Sequence, residues 1–233
     1  MKLLALDTAT EACSVALLIN GEIHARFVHA GRSHTQQLLP MVRGLMAEAG
    51  LGFAQLDGYV CGVGPGSFAG VRIGVGYVKG LALAHERPVV PVSSLSMLAL
   101  PSLDAGAEGV LVAIDARLDE VYYAAYRRGA DGLPQRIDEE LVTPPASVPR
   151  AASGAWHAVG SGWGAYASAL QQASGVTPRS IDADALPRAA DALRIAQPLF
   201  AAGATITAAA LVPRYLRNKV ALTLVEQQVH RTR

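Results

Sequence analysis

Two aspartates and one glycine-rich turn have the types and spacing to do chemistry. Asp7 closes the apolar run Leu3-Leu-Ala-Leu, and Asp115 closes Leu111-Val-Ala-Ile in the same form. A carboxylate at the end of a buried strand can hold a metal ion or face a phosphate. Between the two lies Gly64-Pro-Gly-Ser-Phe-Ala-Gly-Val-Arg-Ile-Gly-Val-Gly76, which includes Gly66 and Ser67. Residues 56–63 before it read as a buried strand, and Val71, Val75, Val78 and Ala82 after it recur at helical spacing. A glycine-rich turn from strand to helix can offer free N–H groups to an anion. It can equally be a tight connection whose glycines allow close packing, and no Gly-Lys-Ser/Thr ending selects the phosphate reading.

Other chemistry has less support. The six histidines, at 24, 29, 34, 85, 157 and 230, are never three or four apart, so no pair shares a helix face as a zinc or iron site would require. No metal or cofactor is expected. His34 lies near an expected helix start, where a neutral histidine makes a local hydrogen bond more often than it ligates a metal. No serine has a histidine and a carboxylate in evident support, and a triad assembled only in space stays open.

The elements that must position these residues follow from the hydrophobic pattern. Residues 2–6 form a short apolar strand, 14–19 a second, and Asn20-Gly21 turns the chain into a third over 22–28. Ser33 opens a helix, with Gln36 completing a capping box and Gly50 ending it. Leu38, Val42, Leu45 and Ala49 make its inner face, widened by Leu39 and Met46. Pro40 either kinks that helix or, if the helix starts at Leu39, sits in its first turn. Further on, 88–92 is a strand, 93–100 a short helix and 101–109 a hinge. Residues 131–153 and 177–187 read as loop, and 191–202 as helix around Pro198.

The helix after the glycine-rich turn has two apolar or small faces. Val71, Val75, Val78 and Ala82 lie on one, and Ile73, Gly76, Tyr77, Gly80 and Ala84 roughly opposite; Arg72 and Lys79 give the only polar edge. Gly74, Gly76 and Gly80 together cost about 2.5–3 kcal/mol of helix propensity relative to alanine, so compensation is expected. A Gly76-x-x-x-Gly80-x-x-x-Ala84 stripe admits a second helix at close range, from the same domain or from another subunit.

Composition limits the partners. The 233 residues are 51% apolar, enough for a sizeable core, and a formal net charge of +1 gives no global field for nucleic acid. The start is too short and too soon charged for a signal peptide, and no run nears the roughly 20 residues that span a bilayer. Cys13 and Cys61 sit in strand-like runs without Cys-x-x-Cys spacing and read as buried reduced thiols. A cytoplasmic protein without a membrane partner is expected.

Order along the chain indicates duplication, although two ordinary βα layouts can also coincide by chance. Leu111 to Asp115 repeats the form of Leu3 to Asp7, 121–126 follows as 14–19 does, and Trp156 leads through Gly160-Ser-Gly-Trp-Gly164 into a helix. A duplicated α/β chain with an aspartate ending the first strand of each half is the plan of actin-like ATPases and sugar kinases. Here Thr8, Ala9 and Thr10 after Asp7 offer no glycine, and Arg117 is placed to pair with Asp115. The expectation is a vestigial cleft around Asp7, Thr8, Thr10, Gly64, Gly66, Ser67, Asp115 and Arg117; an actin-like ATPase or small-molecule kinase is the alternative.

At these residues the chain resembles the bacterial TsaB family, a subunit of the machinery that places threonylcarbamoyl on adenosine 37 of certain tRNAs. The likeness rests on Leu6-Asp-Thr-Ala-Thr10, His34 through Leu38-Leu-Pro40, Gly64 through Gly74, Val92-Ser-Ser-Leu95, Asp115-Ala-Arg117 with Val121-Tyr122, and Pro213-x-Tyr215-Leu-Arg217. Ala69 stands where the family usually has threonine, and Gln36-Gln37 where basic residues are common. The resemblance implies an α/β fold of duplicated actin-like, RNase H-like lobes, each a mixed β-sheet with packed helices. The lobes are expected at 1–105 and 106–217, with a segment 218–233 free to return to the first. It implies no catalytic residues of its own and a role as partner of TsaD, the related subunit that carries the metal. One half of that protein's His-x-x-x-His pair is matched by His34, while Leu38 takes the other position. The implied partner surface is His34, Leu38, Leu39, Val42, Arg72, Ile73, Gly76, Tyr77, Gly80 and Ala84. It further implies the ATPase TsaE as a third component, a homodimer when TsaD is absent, and tRNA met only through the complex. A metalloprotease, once attached to the wider family by similarity, finds no support in the histidine spacing.

Overall fold

The computed structural model describes residues 1–217. Its first sheet is built from β1 (Leu3–Asp7), β2 (Ala12–Ile19), β3 (Glu22–His29), β4 (Gly58–Gly62) and β5 (Val89–Val92), in the order β3-β2-β1-β4-β5. The hairpin turn at Asn20 and Gly21 has both residues at positive φ, as a tight two-residue connection requires. β1 pairs antiparallel with β2 and parallel with β4, so Asp7 ends a central strand. Alternation along β1 divides its side chains. Leu4 and Leu6 face α1 (His34–Glu48) and α2 (Phe68–Ala84), while Leu3 and Ala5 enter a second core with α5 (Ala189–Ala201).

The second sheet repeats this plan. Its strands are β6 (Gly109–Arg117), β7 (Glu120–Arg128), β8 (Pro134–Arg136), β9 (Leu141–Thr143), β10 (Trp156–Val159) and β11 (Ile181–Asp182), ordered β11-β10-β6-β7-β8 with β9 paired to β7. β6 stands to β7 and β10 as β1 stands to β2 and β4: antiparallel on one side, parallel on the other. α3 (Ser94–Asp104) covers one face of this sheet through Leu95, Leu98 and Leu103, and α4 (Ser161–Ser174) the other through Trp163 and Leu170. The chain is therefore a duplicated α/β fold of two mixed sheets with packed helices.

Several local expectations are corrected. Ser33 precedes α1 but makes no capping bond; its hydroxyl instead donates to the Ala30 carbonyl at 2.7 Å. α1 begins at His34 and includes Pro40, leaving the Gln36 carbonyl without its usual helical donor. The expected hinge at Pro101 is helix, because α3 runs on to Asp104 with Leu103 buried. Two short strands, β8 and β9, lie inside the stretch read as loop, held by pairing to β7 rather than by any pattern of their own. α5 falls inside the span 106–217 yet packs on the first sheet, as do Ala208 and Leu211. Its alanines allow that approach, and the chain returns to the first lobe before residue 217. The expected segment 218–233 lies outside the described residues.

Candidate functional site

The corner after β1 is filled by the chain itself. Asp7 is wholly buried; its Oδ1 accepts from the Ala9 N–H at 3.1 Å and its Oδ2 from the Ser94 hydroxyl at 3.1 Å. Burial pushes its carboxyl up to about 6, with those two hydrogen bonds and His34 pulling the other way. A Cβ on Gly62 would lie 2.0 Å from Asp7 Oδ2, so that glycine makes room for the carboxylate. The Thr8 hydroxyl donates to the Gly70 carbonyl at 2.7 Å, and the Ser67 N–H donates to the Ala9 carbonyl at 2.6 Å. Ser67 caps α2 by accepting from the Gly70 N–H at 3.3 Å. A Cβ on Gly66 or Gly70 would stand 2.1 Å from the Ala9 or Thr8 carbonyl oxygen. These glycines serve close backbone approach, and the donors that an anion would want at Ser67 and Gly70 are taken.

The corner after β6 is closed by charge. Asp115 accepts from the Arg117 N–H at 2.8 Å and from its guanidinium at 3.0 Å, while the Asp115 N–H donates to the Ser161 hydroxyl at 3.1 Å. Arg117, Leu118 and Asp119 all adopt left-handed φ, at 62°, 56° and 57°, and none is glycine. Such a run is strained.

Between the lobes lies a cleft of about 670 Å³. Thr10, Gly66, Ser67, Asp115 and Arg117 line it, whereas Asp7, Thr8 and Gly64 do not. Thr8 turns away into α2, and Asp7 is covered by Gly62 and Ser94. Residues 213–217 form one wall and were assigned no role from sequence, although Pro213, Tyr215 and Arg217 stood out as a motif. Arg214 pairs with Glu140, and Arg217 with Glu120. Phe68 was also missed: it is 53% exposed beneath the Arg72 guanidinium, which lies 3.1 Å from its ring centre.

The two faces of α2 separate as its sequence pattern implies. Val71, Val75, Val78 and Ala82 are buried in the first core; Arg72, Gly76, Gly80, Leu83 and Ala84 are exposed, with Ile73 and Tyr77 half-buried beside them. A Cβ built on Gly76 or Gly80 meets nothing within 4 Å. On α1 the residues expected at the partner surface differ in burial. Leu39 is exposed, but Leu38 and Val42 are core residues and His34 is buried, with Nε2 2.8 Å from the Thr10 carbonyl and 3.2 Å from that of Ala12. These three face the sheet and cannot touch a visitor to the helix surface. Among the described residues no three His, Cys, Asp or Glu side chains come together in a metal-binding group.

The profile of the family described as TsaD, tRNA N6-adenosine threonylcarbamoyltransferase, matches residues 23–223. The tRNA threonylcarbamoyladenosine biosynthesis protein TsaB of Escherichia coli K12 is 44% identical over 225 residues, spanning 95% of this chain and 96% of that protein. That of Haemophilus influenzae is 39% identical over 229 residues, spanning 94% and 95%. A crystal structure from Pseudomonas aeruginosa, described as similar to the peptidase YEAZ, superposes with a TM-score of 0.86 at 44% identity, covering 93% of this chain and 99% of the other. The structure named YeaZ from the same species gives 0.84 at 43% identity, covering 92% and 99%.

Proposed function

The chain belongs to the TsaB family, within the wider TsaD family, and from that premise we propose that it is a non-catalytic accessory subunit in the biosynthesis of threonylcarbamoyladenosine in tRNA. Its partner is a TsaD-like catalytic subunit, joined by a TsaE-like ATPase, with a second copy of the chain in the same place when that partner is absent. It meets tRNA through the complex, in the cytoplasm. No helix among the described residues is long and apolar enough to cross a membrane.

The observation that carries this reading is the open strip on α2. Gly76, Gly80 and Ala84 lie along one exposed line, flanked by Tyr77 and Leu83, with free space above both glycines. Glycine in an exposed helix costs stability and gives the monomer nothing in return. A helix from another chain laid along that line would bury the strip and offset the cost. Leu39 on α1 is exposed as well. The subunit would act by differential binding, stabilising the active form of its partner rather than making bonds. The filled corner at Thr8 and Gly70 and the Asp115–Arg117 pair support the absence of phosphate chemistry.

The test is Gly80→Leu. The variant monomer should keep its circular dichroism and melt no lower than wild type, because the new side chain enters open space and favours the helix, and should fail to form a complex with the TsaD-like subunit on size exclusion. Undiminished affinity would remove the strip from the reading. Calorimetry with ATP and magnesium addresses the alternative: micromolar binding with turnover would replace the accessory role by an ATPase or kinase.

A further inference from the structure

Residues 211–217 join three parts of the molecule without regular secondary structure of their own. Leu211 is buried in the first core, and the Lys79 ammonium on α2 donates to the Ala209 and Leu211 carbonyls at 3.0 and 3.2 Å. The Arg214 N–H then donates to the Val63 carbonyl at 2.8 Å, just past β4. Its side chain points to the second lobe, where Nε lies 2.9 Å from Glu140 Oε2 as a charge contact. The Glu140 side chain is 1% exposed, and its Oε1 accepts from the Tyr126 hydroxyl at 2.8 Å. Arg217 follows, 2.5 Å from Glu120 on β7 and donating to the Arg117 carbonyl at 3.2 Å. Midway, the Tyr215 ring centre is 5.1 Å from the Arg72 guanidinium of α2.

We infer that this strap is a conformational tie through which a partner seated on α2 is felt in the second lobe; the inference rests on the partner reading above and assigns it a route. α2 packs on β1, β4 and α1, all in the first lobe. It grips the strap at Lys79 and again, through Tyr215, at Arg72. A partner over the exposed face of α2 that takes the Arg72 guanidinium from Phe68 and Tyr215 frees Tyr215 and so loosens the strap at that grip. The far end responds in a discrete step. If Arg214 withdraws, Glu140 is left as a buried carboxylate without its cation, which is strongly disfavoured. The strap therefore holds one closed arrangement until a competing contact compensates, which is the behaviour of a bistable element.

Hydrogen exchange on the full chain, with and without the TsaD-like protein of the same cells, tests this. In the wild type, partner binding should change exchange at the Arg214 amide and along β7 and β9 by about tenfold. The double variant Lys79→Met, Tyr215→Ala alters neither the open strip nor the core. It should bind the partner within about threefold of wild type, a shift of roughly 0.7 kcal/mol, and lose the response in β7 and β9. Binding without any second-lobe response in the wild type, or an equal response in the double variant, would overturn the tie and leave the partner reading standing. Failure of the wild type to bind at all would remove both. Tyr215→Ala alone, at a half-exposed position, provides the same comparison should the double variant fold poorly.

Discussion

Thr8 and Gly70, 62 positions apart, are joined by a hydrogen bond of 2.7 Å from the threonine hydroxyl to the glycine carbonyl. The bond fastens the exit of β1 to the first turn of α2. One turn further on, a Cβ at Gly74 would lie 2.6 Å from the same hydroxyl, so the helix must be bare on that side for the threonine to reach its acceptor. An anion arriving at this end of α2 would have to displace Thr8 and Ala9 first. The glycine-rich turn thus looks like a binding loop in sequence and acts as a packing device in space.

Glycines on opposite sides of α2 should respond oppositely to one methyl group. Gly76→Ala enters open space and should stabilise the monomer by up to about 1 kcal/mol through helix propensity. Gly70→Ala drives a Cβ against the Thr8 carbonyl, 2.1 Å away, where only backbone movement can relieve it. A loss of about 3 kcal/mol or more is expected, in the range of severe core clashes. Urea unfolding of the two variants checks the signs, and equal effects would show that the two faces of the helix do not differ as described.

His34 should behave as a core residue. Its Nε2 supplies a donor to the Thr10 carbonyl, so His34→Leu leaves buried acceptors at Thr10 and Ala12 short of a partner. The expected cost is about 1–3 kcal/mol of stability, read by denaturant midpoint. Partner affinity, measured under conditions where the variant is fully folded, should stay near wild type.

The architecture was legible because the signals behind it are local and periodic. The apolar run from Leu3 closed by Asp7, the Asn20-Gly21 turn and the valine face of α2 each state their structure within a few residues. What could not be read depends on contacts between distant segments. Periodicity alone puts Leu38 on the inner face of α1, whereas only the fold shows that the Thr10 and Ala12 carbonyls claim His34. Arg214, Glu140 and Tyr126 are separated in the chain and meet only when the strap crosses the cleft. α5 returns to the first sheet because its buried alanines and Leu193 fit there, and no sequence signal marks which sheet an apolar helix will choose.

The turn at Arg117, Leu118 and Asp119 stores strain at the cleft wall. Each residue is held at positive φ, which costs an L-residue about 1–2 kcal/mol. Leu118→Gly removes one such cost and loses little packing, since the leucine is 44% exposed. The variant should gain about 1 kcal/mol, less whatever the glycine adds to the freedom of the unfolded chain. Leu118→Ala keeps the strain and is the control: a similar gain in thermal midpoint for both would assign the effect to the lost side chain instead.

Asp7 makes stability fall as pH rises, opposite to the usual effect of a paired carboxylate. Its folded-state pKa of about 6 lies above the ordinary 3.8, with burial as the first cause. Below the ordinary value the group is protonated in both states and costs nothing. Between about 4 and 6 the unfolded chain ionises while the folded one keeps its proton, so the folded state binds more protons and loses stability with each pH step. Above 6 the loss is complete, about 3 kcal/mol. Asp191 on α5, also pushed up to about 6 by burial against the pull of Arg194 and Arg188, adds a loss in the same window. Asp7→Asn keeps the shape and an acceptor for the Ala9 N–H while removing the ionisation. Urea unfolding should find the variant within about 1 kcal/mol of wild type at pH 4 and about 2–3 kcal/mol more stable at pH 8. A variant less stable than wild type at pH 8 would mean that the ionised carboxylate is held favourably, by Ser94 and the Ala9 N–H, in spite of its burial.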